Sequence, residues 1–309
     1  MTPDLLQRVK NCKTLPTIPA LPLQVLQLCR NEDTDIKRLA ELISKDPTFV
    51  AKILNVANSS FFGNVRHKVA TVTQAITLLG MNSVATLAFC FSLYRDLRRH
   101  GRHGFDHARY WRRSLLASVS GRVMGRWLKR ADCEEIFLAA LLQDLGMLVL
   151  SETEGQTYGQ LIQRSAHSHQ RLVEVERETL GADHAEVGAW LVEQWQLPEL
   201  LQVAIRCSHD PLQAEVPESF QPIVKCVAVS GRLADIWCDP QMEHAIQEAA
   251  GAAHNWLGVD GEAFDSILVK TAEGFLEVAG LFQMDLGNTQ DMQSVLERAR
   301  HFIQTTASA

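Results

Sequence analysis

The 309-residue chain carries no Cys-x-x-Cys, no glycine-rich phosphate loop, no nucleophile elbow and no His-Glu-x-x-His. Each absence removes a chemistry: zinc knuckle, P-loop nucleotide hydrolysis, serine-hydrolase acyl transfer and zincin proteolysis. Neither a phospho-acceptor receiver domain nor a nucleotide-cyclase motif is visible. Apolar runs stay short of the ~18 residues that a membrane span requires. The start, Met1-Thr-Pro-Asp-Leu-Leu-Gln-Arg8, lacks the charged-then-apolar order of a secretory signal. Seven cysteines (Cys12, Cys29, Cys90, Cys133, Cys207, Cys226, Cys238) are an odd count, and most lie in apolar helical runs. That pattern predicts buried thiols in a reducing cytosol rather than a disulfide framework. The expectation is a cytoplasmic protein with no membrane contact.

Strand-like alternation is almost absent as well, and what remains is helical. With 46% apolar and 21% charged residues the chain can bury a substantial core. Its most apolar stretch is Leu138-Ala-Ala-Leu-Leu-Gln-Asp-Leu-Gly-Met-Leu-Val-Leu150. From Ile136 to Leu150 only Gln143 and Asp144 are strongly polar. A helix apolar on nearly every side is a buried one, so this is the expected central helix of a helical core. A carboxylate inside it needs a partner or a metal.

Elsewhere the pattern supplies ordinary amphipathic helices. Residues 15–30 read as a proline-rich entry into a short helix, and Asp33 or Thr34 is the expected cap of a helix whose face is Ile36, Leu39, Ala40 and Ile43. Asp46-Pro47 opens the next, with Phe49, Val50, Ile53, Leu54 and Ala57 as its stripe. Thr71 starts a helix closed by Gly80, and another runs from about Asn82 to Leu97. Helices are then expected at 106–130, 134–150, 156–180 with a break, 183–195, 198–207 and 220–238. Phe264, Ile267, Leu268, Phe275, Val278 and Phe282 form one late stripe. Val295, Leu296, Ala299, Phe302 and Ile303 form another.

Net charge is −6 but uneven. Residues 95–130 hold eleven Arg and Lys against Asp96 and Asp106, a balance of +9 that leaves −15 for the rest. Such a segment is either a solvated helix face or a surface for an acidic partner or a nucleotide phosphate. Within it, Arg98-Arg-His-Gly-Arg-His-Gly104 is the expected lobe boundary.

Several segments in order resemble the HD-related output domain (HDOD) family, a non-catalytic offshoot of the HD phosphohydrolases found in bacterial signalling proteins. They run from Leu15-Pro-Thr-Ile-Pro through Ile43-Ser-Lys-Asp-Pro and Lys52-Ile-Leu-Asn-Val-Ala-Asn-Ser. Gln74-Ala-Ile-Thr-Leu-Leu-Gly80, Trp111-Arg-Arg-Ser114 and Leu141-Leu-Gln-Asp-Leu-Gly146 come next. Gly181-Ala-Asp-His-Ala-Glu-Val-Gly188, Trp195-Gln-Leu-Pro198 and Ser208-His-Asp-Pro211 close the set, and the resemblance covers roughly residues 12–235. It implies an all-α fold: an N-terminal helical lobe (1–100), an HD-like helical bundle (105–235) and a C-terminal helical extension (236–309).

Active HD enzymes hold a metal with a His from one helix, a His-Asp pair from a second and a distant Asp. The resemblance places Arg113, Gln143-Asp144 and, less securely, Gly231 at those positions. Arg cannot ligate a metal, Gln is a poor ligand and Gly has no side chain, so only Asp144 survives. Two readings of Asp144 stand. Arg113 substitutes its guanidinium for the ion, matching the carboxylate in two-point geometry. Alternatively Arg113 points to solvent with Arg112, and Asp144 takes hydrogen bonds from Gln143 or backbone.

His184 and His209 also fall at positions where the family tends to have His, in a region that supplies a second metal in some active HD enzymes. Ser208 replaces one member of a His pair there, so both histidines are expected to be structural, lining a vestigial cleft. His100, His103, His107, His167 and His169 lie in polar or basic stretches and read as surface residues. Ala75-Ile-Thr-Leu-Leu-Gly-Met-Asn-Ser-Val-Ala-Thr-Leu87 imitates a helix-turn-helix. The residues after Ser83 are core material rather than base-reading side chains, so direct DNA binding is not expected. The expectation is a regulatory protein that acts by binding a signalling partner or a nucleotide, with no catalytic residue, metal or cofactor. Arg109, Arg112 and Arg113, beside the groove between the lobes, are the candidate contact residues. A residual metal-dependent phosphohydrolase using Asp144 with His184 and His209 is the enzyme alternative.

Overall fold

The computed structural model describes residues 1–17, 24, 25, 28, 35–63, 68–97, 105–212, 216–284 and 290–306. Among these residues every regular element is a helix and no strand occurs. The Asp33 or Thr34 cap, most of the proline-rich entry and the 98–104 linker fall outside the described residues. Residues 24, 25 and 28 are helical, and the helix that begins at Ile36 is capped by Asp35, whose carboxylate accepts from the Lys37 N–H at 3.1 Å.

The chain divides into two compact units. The first comprises Met1–Pro16, His100–Glu273 and Leu286–Ala309, and the second Thr17–Arg99 with Gly274–Asp285. The C-terminal segment is divided between the two. Helix α14 (Met242–Leu257), the first half of α15 (Gly261–Phe282) and α16 (Gln290–Thr306) belong to the first unit, and the end of α15 to the second. The reason lies in its apolar stripes: Phe264, Ile267 and Leu268 are buried, as are Phe275, Val278 and Phe282 further along the helix. A helix that buries an apolar stripe along its whole length packs against neighbours rather than standing apart.

In the second unit, α2 (Ile36–Ile43), α3 (Pro47–Ala57), α4 (Val72–Leu79) and α5 (Met81–Leu97) keep closely to their punctuation. Asp46 accepts from the Thr48 and Phe49 N–H groups at 2.9 and 3.2 Å, with Pro47 in the first turn where no amide bond is lost. Thr71 and Gln74 form a reciprocal capping box. Gly80, at φ 86°, ends α4 and lets the chain turn through 111° into α5. The helix-turn-helix imitation ends there, because every residue from Ser83 to Tyr94 is buried. Among the described residues no single helix is long and apolar enough to cross a membrane.

The first unit is built around α6 (His107–Trp127), which packs on α7 (Cys133–Leu142) and α13 (Gln221–Cys238). Residues Ser114 to Gly125 of α6 are all buried. Small residues permit that closeness: a Cβ on Gly121 would stand 3.1 Å from Ile136 Cγ2, and one on Gly125 3.1 Å from Cys133 Sγ. Helices α8 (Leu145–Glu154), α9 (Gln156–Arg164), α10 (His169–Leu180), α11 (His184–Gln194) and α12 (Glu199–Arg206) complete the surroundings of the site, and α1 (Pro3–Asn11) packs on α8.

The expected single helix over 134–150 is two. It breaks at Gln143 and Asp144, where Asp144 takes φ −100° and ψ 9°, and α8 starts at Leu145. The apolar content that predicted one helix is correct about burial and silent about the break. Two turns that are both buried leave no polar face to mark where the axis changes.

Candidate functional site

Asp144 sits at that break, 1% exposed, and its position explains the break. A carboxylate on the wall of a continuous α7–α8 helix would face packed side chains. At the turn it is presented instead to α6, α10, α11 and α13. Close approach of α8 to α11 holds it there. A Cβ on Gly146 would lie 1.9 Å from the His184 carbonyl oxygen and 2.7 Å from the Gly188 nitrogen, so only glycine fits at Gly146.

The guanidinium of Arg113, 6% exposed on α6, reaches the same point. Its Nη1 donates to Asp144 Oδ2. Its Nε donates to Asp235 Oδ1 at 2.8 Å, and Nη2 to Asp235 Oδ2 at 3.4 Å and to the Gly231 carbonyl at 3.2 Å. The pairing of Arg113 with Asp144 is thus present, and the alternative that sends Arg113 to solvent is not. Asp235 completes it from one turn beyond Gly231, on the same face of α13. Gln143 turns back to donate to the Ala140 carbonyl at 2.9 Å. A Cβ at Gly231 would stand 2.6 Å from Gln143 Oε1 and 3.3 Å from Arg113 Nη2. Glycine there makes room first for the Gln143 amide and then for the guanidinium.

Burial alone would raise the Asp144 carboxyl, but Arg113, His169 and His184 outweigh it and hold the group well below the usual carboxylate range. At Asp235 burial prevails over Arg113, and the carboxyl is raised. Arg113 itself is penalised by burial, yet Asp144 and Asp235 keep its proton more firmly bound than usual. One arginine thus stands between two carboxylates, all three nearly buried.

On the other side of Asp144 lie three histidines. His184, fully buried at the first position of α11, is fixed twice by Glu176 of α10. Its backbone N–H donates to Glu176 Oε2 at 2.9 Å, and Nδ1 lies 2.7 Å from the same oxygen. The Tyr158 hydroxyl donates to Glu176 Oε1 at 2.6 Å. Gly181, at φ 72°, turns the chain from α10 into α11, and Asp183 caps the new helix by accepting from Glu186 N–H. His184 Nε2 then stands 2.9 Å from His209 Nε2 and 3.6 Å from Asp144 Oδ1. His209 lies past the end of α12, where Arg232 donates to its carbonyl at 3.1 Å.

The third member is His169, at the start of α10. It is 7% exposed, which corrects its reading as a surface residue. Its ring lies 4.8 Å from that of His184 and 5.3 Å from that of His209, and its Nε2 is 3.6 Å from Asp144 Oδ1. Burial and the Arg113 charge lower the His169 pKa well below its ordinary value. Burial and the neighbouring His184 lower His209 to about 3. Burial works against charge on His184 too, but Glu176 and Asp144 push it up to about 10. His107 is half-buried with its ring 4.9 Å from that of Phe105, His167 is exposed, and His100 and His103 fall outside the described residues.

Beside these groups is a cavity of about 530 Å³, whose lining includes Arg109, Arg113, Asp144, His169 and Asp235. All of its lining belongs to the first unit. The three arginines expected to share a contact surface are separated. Arg113 is consumed in the ion network. Arg112 directs Nη2 to Met292 Sδ at 3.5 Å. Arg109 alone borders the cavity from an accessible position, donating to the carbonyls of His167 at 2.6 Å and Cys238 at 2.7 Å.

The residues at the HD-enzyme metal positions do not fit an ion there. A guanidinium already fills the space between Asp144 and Asp235, and it repels a cation rather than ligating one. Sequence reading missed three contributors. Asp235 carried the same signal as Asp144, a lone acid in an apolar helix. Glu176 and His169 sit among polar neighbours and carried none.

The chain matches the family model of the HDOD domain over residues 15–211. It is 24% identical over 220 residues to an uncharacterised protein of Treponema pallidum (strain Nichols), covering 69% of this chain and 41% of that protein. It therefore spans about two fifths of the length of the curated relative it matches. In fold it is similar to an HDOD domain protein of unknown function from Geobacter sulfurreducens, with a TM-score of 0.70 at 20% identity, covering 92% of this chain and 97% of that one. A Shewanella amazonensis SB2B protein provisionally named a phosphohydrolase gives 0.66 at 23% identity, covering 96% and 98%. A Marinobacter aquaeolei VT8 protein provisionally named for signal transduction gives 0.65 at 21%, covering 91% and 65%. At such identities the likeness establishes the fold. With the family model matching more than half of its length, this chain belongs to the HDOD domain family.

Proposed function

We propose that the protein is a non-catalytic regulatory module of cytoplasmic signal transduction that acts by binding a protein partner or a nucleotide signal. The observation that carries this reading is Arg113, held between Asp144 and Asp235 at the position where an HD hydrolase would hold its ion. A metal there would lower the pKa of a bound water and supply a nucleophile near neutral pH. A guanidinium offers hydrogen bonds and charge but no vacant coordination position. It orients two carboxylates and generates nothing that attacks a phosphoester.

The adjoining cavity supports binding. Its volume lies within the ~300–1,000 Å³ of ordinary small-molecule sites. Arg109, together with Gln156, Gln160, Gln163 and Ser168, gives it an accessible cation and neutral polar groups of the kind that recognise a phosphate and a base. The burial of residues 83–94 supports the expectation that the helix-turn-helix imitation reads no DNA.

The test is a turnover assay on the full chain with phosphomonoesters and phosphodiesters, in the presence of Mn²⁺ or Mg²⁺. The expected result is no hydrolysis above that of Asp144→Asn. Hydrolysis that Asp144→Asn abolishes would favour the residual phosphohydrolase instead. On the binding side, Arg109→Glu is expected to weaken nucleotide binding or partner capture while leaving the fold intact by circular dichroism.

A further inference from the structure

We infer that His169, His184 and His209, with Asp144 Oδ1 as fourth donor, form a closed site for one divalent transition-metal ion of the zinc class. This site is distinct from the position that Arg113 fills, and it goes beyond the binding function proposed above. It uses a residue, His169, that no motif singles out.

The geometry carries the inference. One donor atom from each of the three histidines lies within 4.8 Å of the other two. The measured edges, 2.9 Å between His184 and His209 and 3.6 Å from Asp144 Oδ1 to both His169 and His184, bracket a tetrahedral edge. Zinc bonds of about 2.0–2.1 Å to nitrogen and oxygen place tetrahedral donors about 3.3 Å apart. The widest gap, at most 4.8 Å, exceeds that edge by about 1.5 Å.

A second observation is independent of the spacing. Asp144 Oδ1 and His169 Nε2 are both buried and have no hydrogen-bond partner. Two orphaned polar atoms aimed at one point are costly unless something sits between them. Each donor is also oriented from behind. Arg113 takes Asp144 Oδ2 and leaves Oδ1 facing the cluster. Glu176 takes His184 Nδ1 and leaves Nε2 facing it, the carboxylate–histidine arrangement that fixes metal-binding imidazoles. Arg232 anchors the His209 backbone.

Charge points the same way. Asp144 and Glu176 both lie against the imidazoles, a carboxylate-rich setting that suits a bound cation. Imidazole donors select zinc, cobalt or nickel over magnesium and calcium. Three nitrogens and one carboxylate oxygen fill a tetrahedron, so the ion has a structural or regulatory role and no open position for substrate.

The experiment uses the full chain, stripped with a chelator and titrated with Zn²⁺ by calorimetry and with Co²⁺ by visible absorption. The expected result is one equivalent bound, with the intense absorption of four-coordinate Co²⁺. His169→Gln and His209→Gln are each expected to weaken binding by about 100-fold or more, because each removes a ligand. His244→Gln, an exposed histidine on α14, is the control and is expected to bind as wild type does. Because His184 is also tied to Glu176, the conclusion rests on the 169 and 209 variants, whose folding is checked by circular dichroism. Failure to take up one equivalent would overturn the site. So would undiminished uptake in the His169→Gln, His209→Gln double variant.

Discussion

Arg113 is the side chain on which the centre of the first unit depends. Its guanidinium neutralises two buried carboxylates, and removing either end of the Arg113–Asp144 pair strands the other. Asp144→Ala is expected to cost about 3–5 kcal/mol in urea denaturation, as loss of one partner of a buried pair does. A change within about 1 kcal/mol of wild type would show that the pair contributes little. The same pair sets part of the acid stability. The Asp144 carboxyl is held below its unfolded value, so its contribution is full above an unfolded pKa of about 3.9 and fades as pH falls through the folded value. Asp235, raised by burial, pulls in the opposite direction. Comparing wild type with Asp144→Asn between pH 6 and pH 3 isolates the first effect: the stability gap is expected to narrow as the solution is acidified, and a constant gap would contradict it.

Thiols give a second check at this scale. Burial pushes Cys226 up to about 12 and Cys238 up to about 11, so neither forms a thiolate at neutral pH. Cys226, fully buried, is expected to escape alkylation in the native protein and to react in urea, read by mass spectrometry. Among the described cysteines no disulfide occurs, in keeping with the odd count in the sequence. The residue scale was only partly legible from the sequence. Asp144 stood out because it interrupts apolar neighbours, and Arg113 because of the pattern it breaks. His169 did not, because Ser-Ala-His-Ser-His looks like a surface loop until α10 folds its first turn inward.

At the scale of elements, the crossing of α8 and α11 at Gly146 and Gly188 brings the carboxylate and the histidines together. Gly146→Ala would drive a methyl group into the His184 backbone, which side-chain rotation cannot relieve. The expected loss is about 1–3 kcal/mol or more by chemical denaturation, with the α8–α11 crossing forced apart. A variant as stable as wild type would mean that the helices do not approach so closely. Caps and helix stripes were readable in advance, since Asp46, Thr71 and Gly80 act through local hydrogen bonds and backbone angles. The division of 134–150 was not, because a turn buried on all sides leaves no trace in polarity. The first cap, placed at Asp33 or Thr34 and found at Asp35, missed by one or two residues among three candidate capping side chains in a row.

Across the whole molecule, the core of the first unit is the trio α6, α7 and α13. Their small-residue contacts and near-complete burial predict that their amides exchange last in native-state hydrogen exchange. The membership of the C-terminal segment was not legible, because amphipathic stripes show that a helix packs and not what it packs on. The fold class was legible, since strand alternation is almost absent from the sequence and helical periodicity runs through it. The functional reading rests on a cation that belongs to the chain itself, standing between Asp144 and Asp235. The most direct measurement is an anomalous difference map from crystals grown in Mn²⁺. The expected map shows well-ordered guanidinium density for Arg113 between those two carboxylates and no anomalous peak there. A manganese peak bridging Asp144 and Asp235, with Arg113 swung aside, would contradict it.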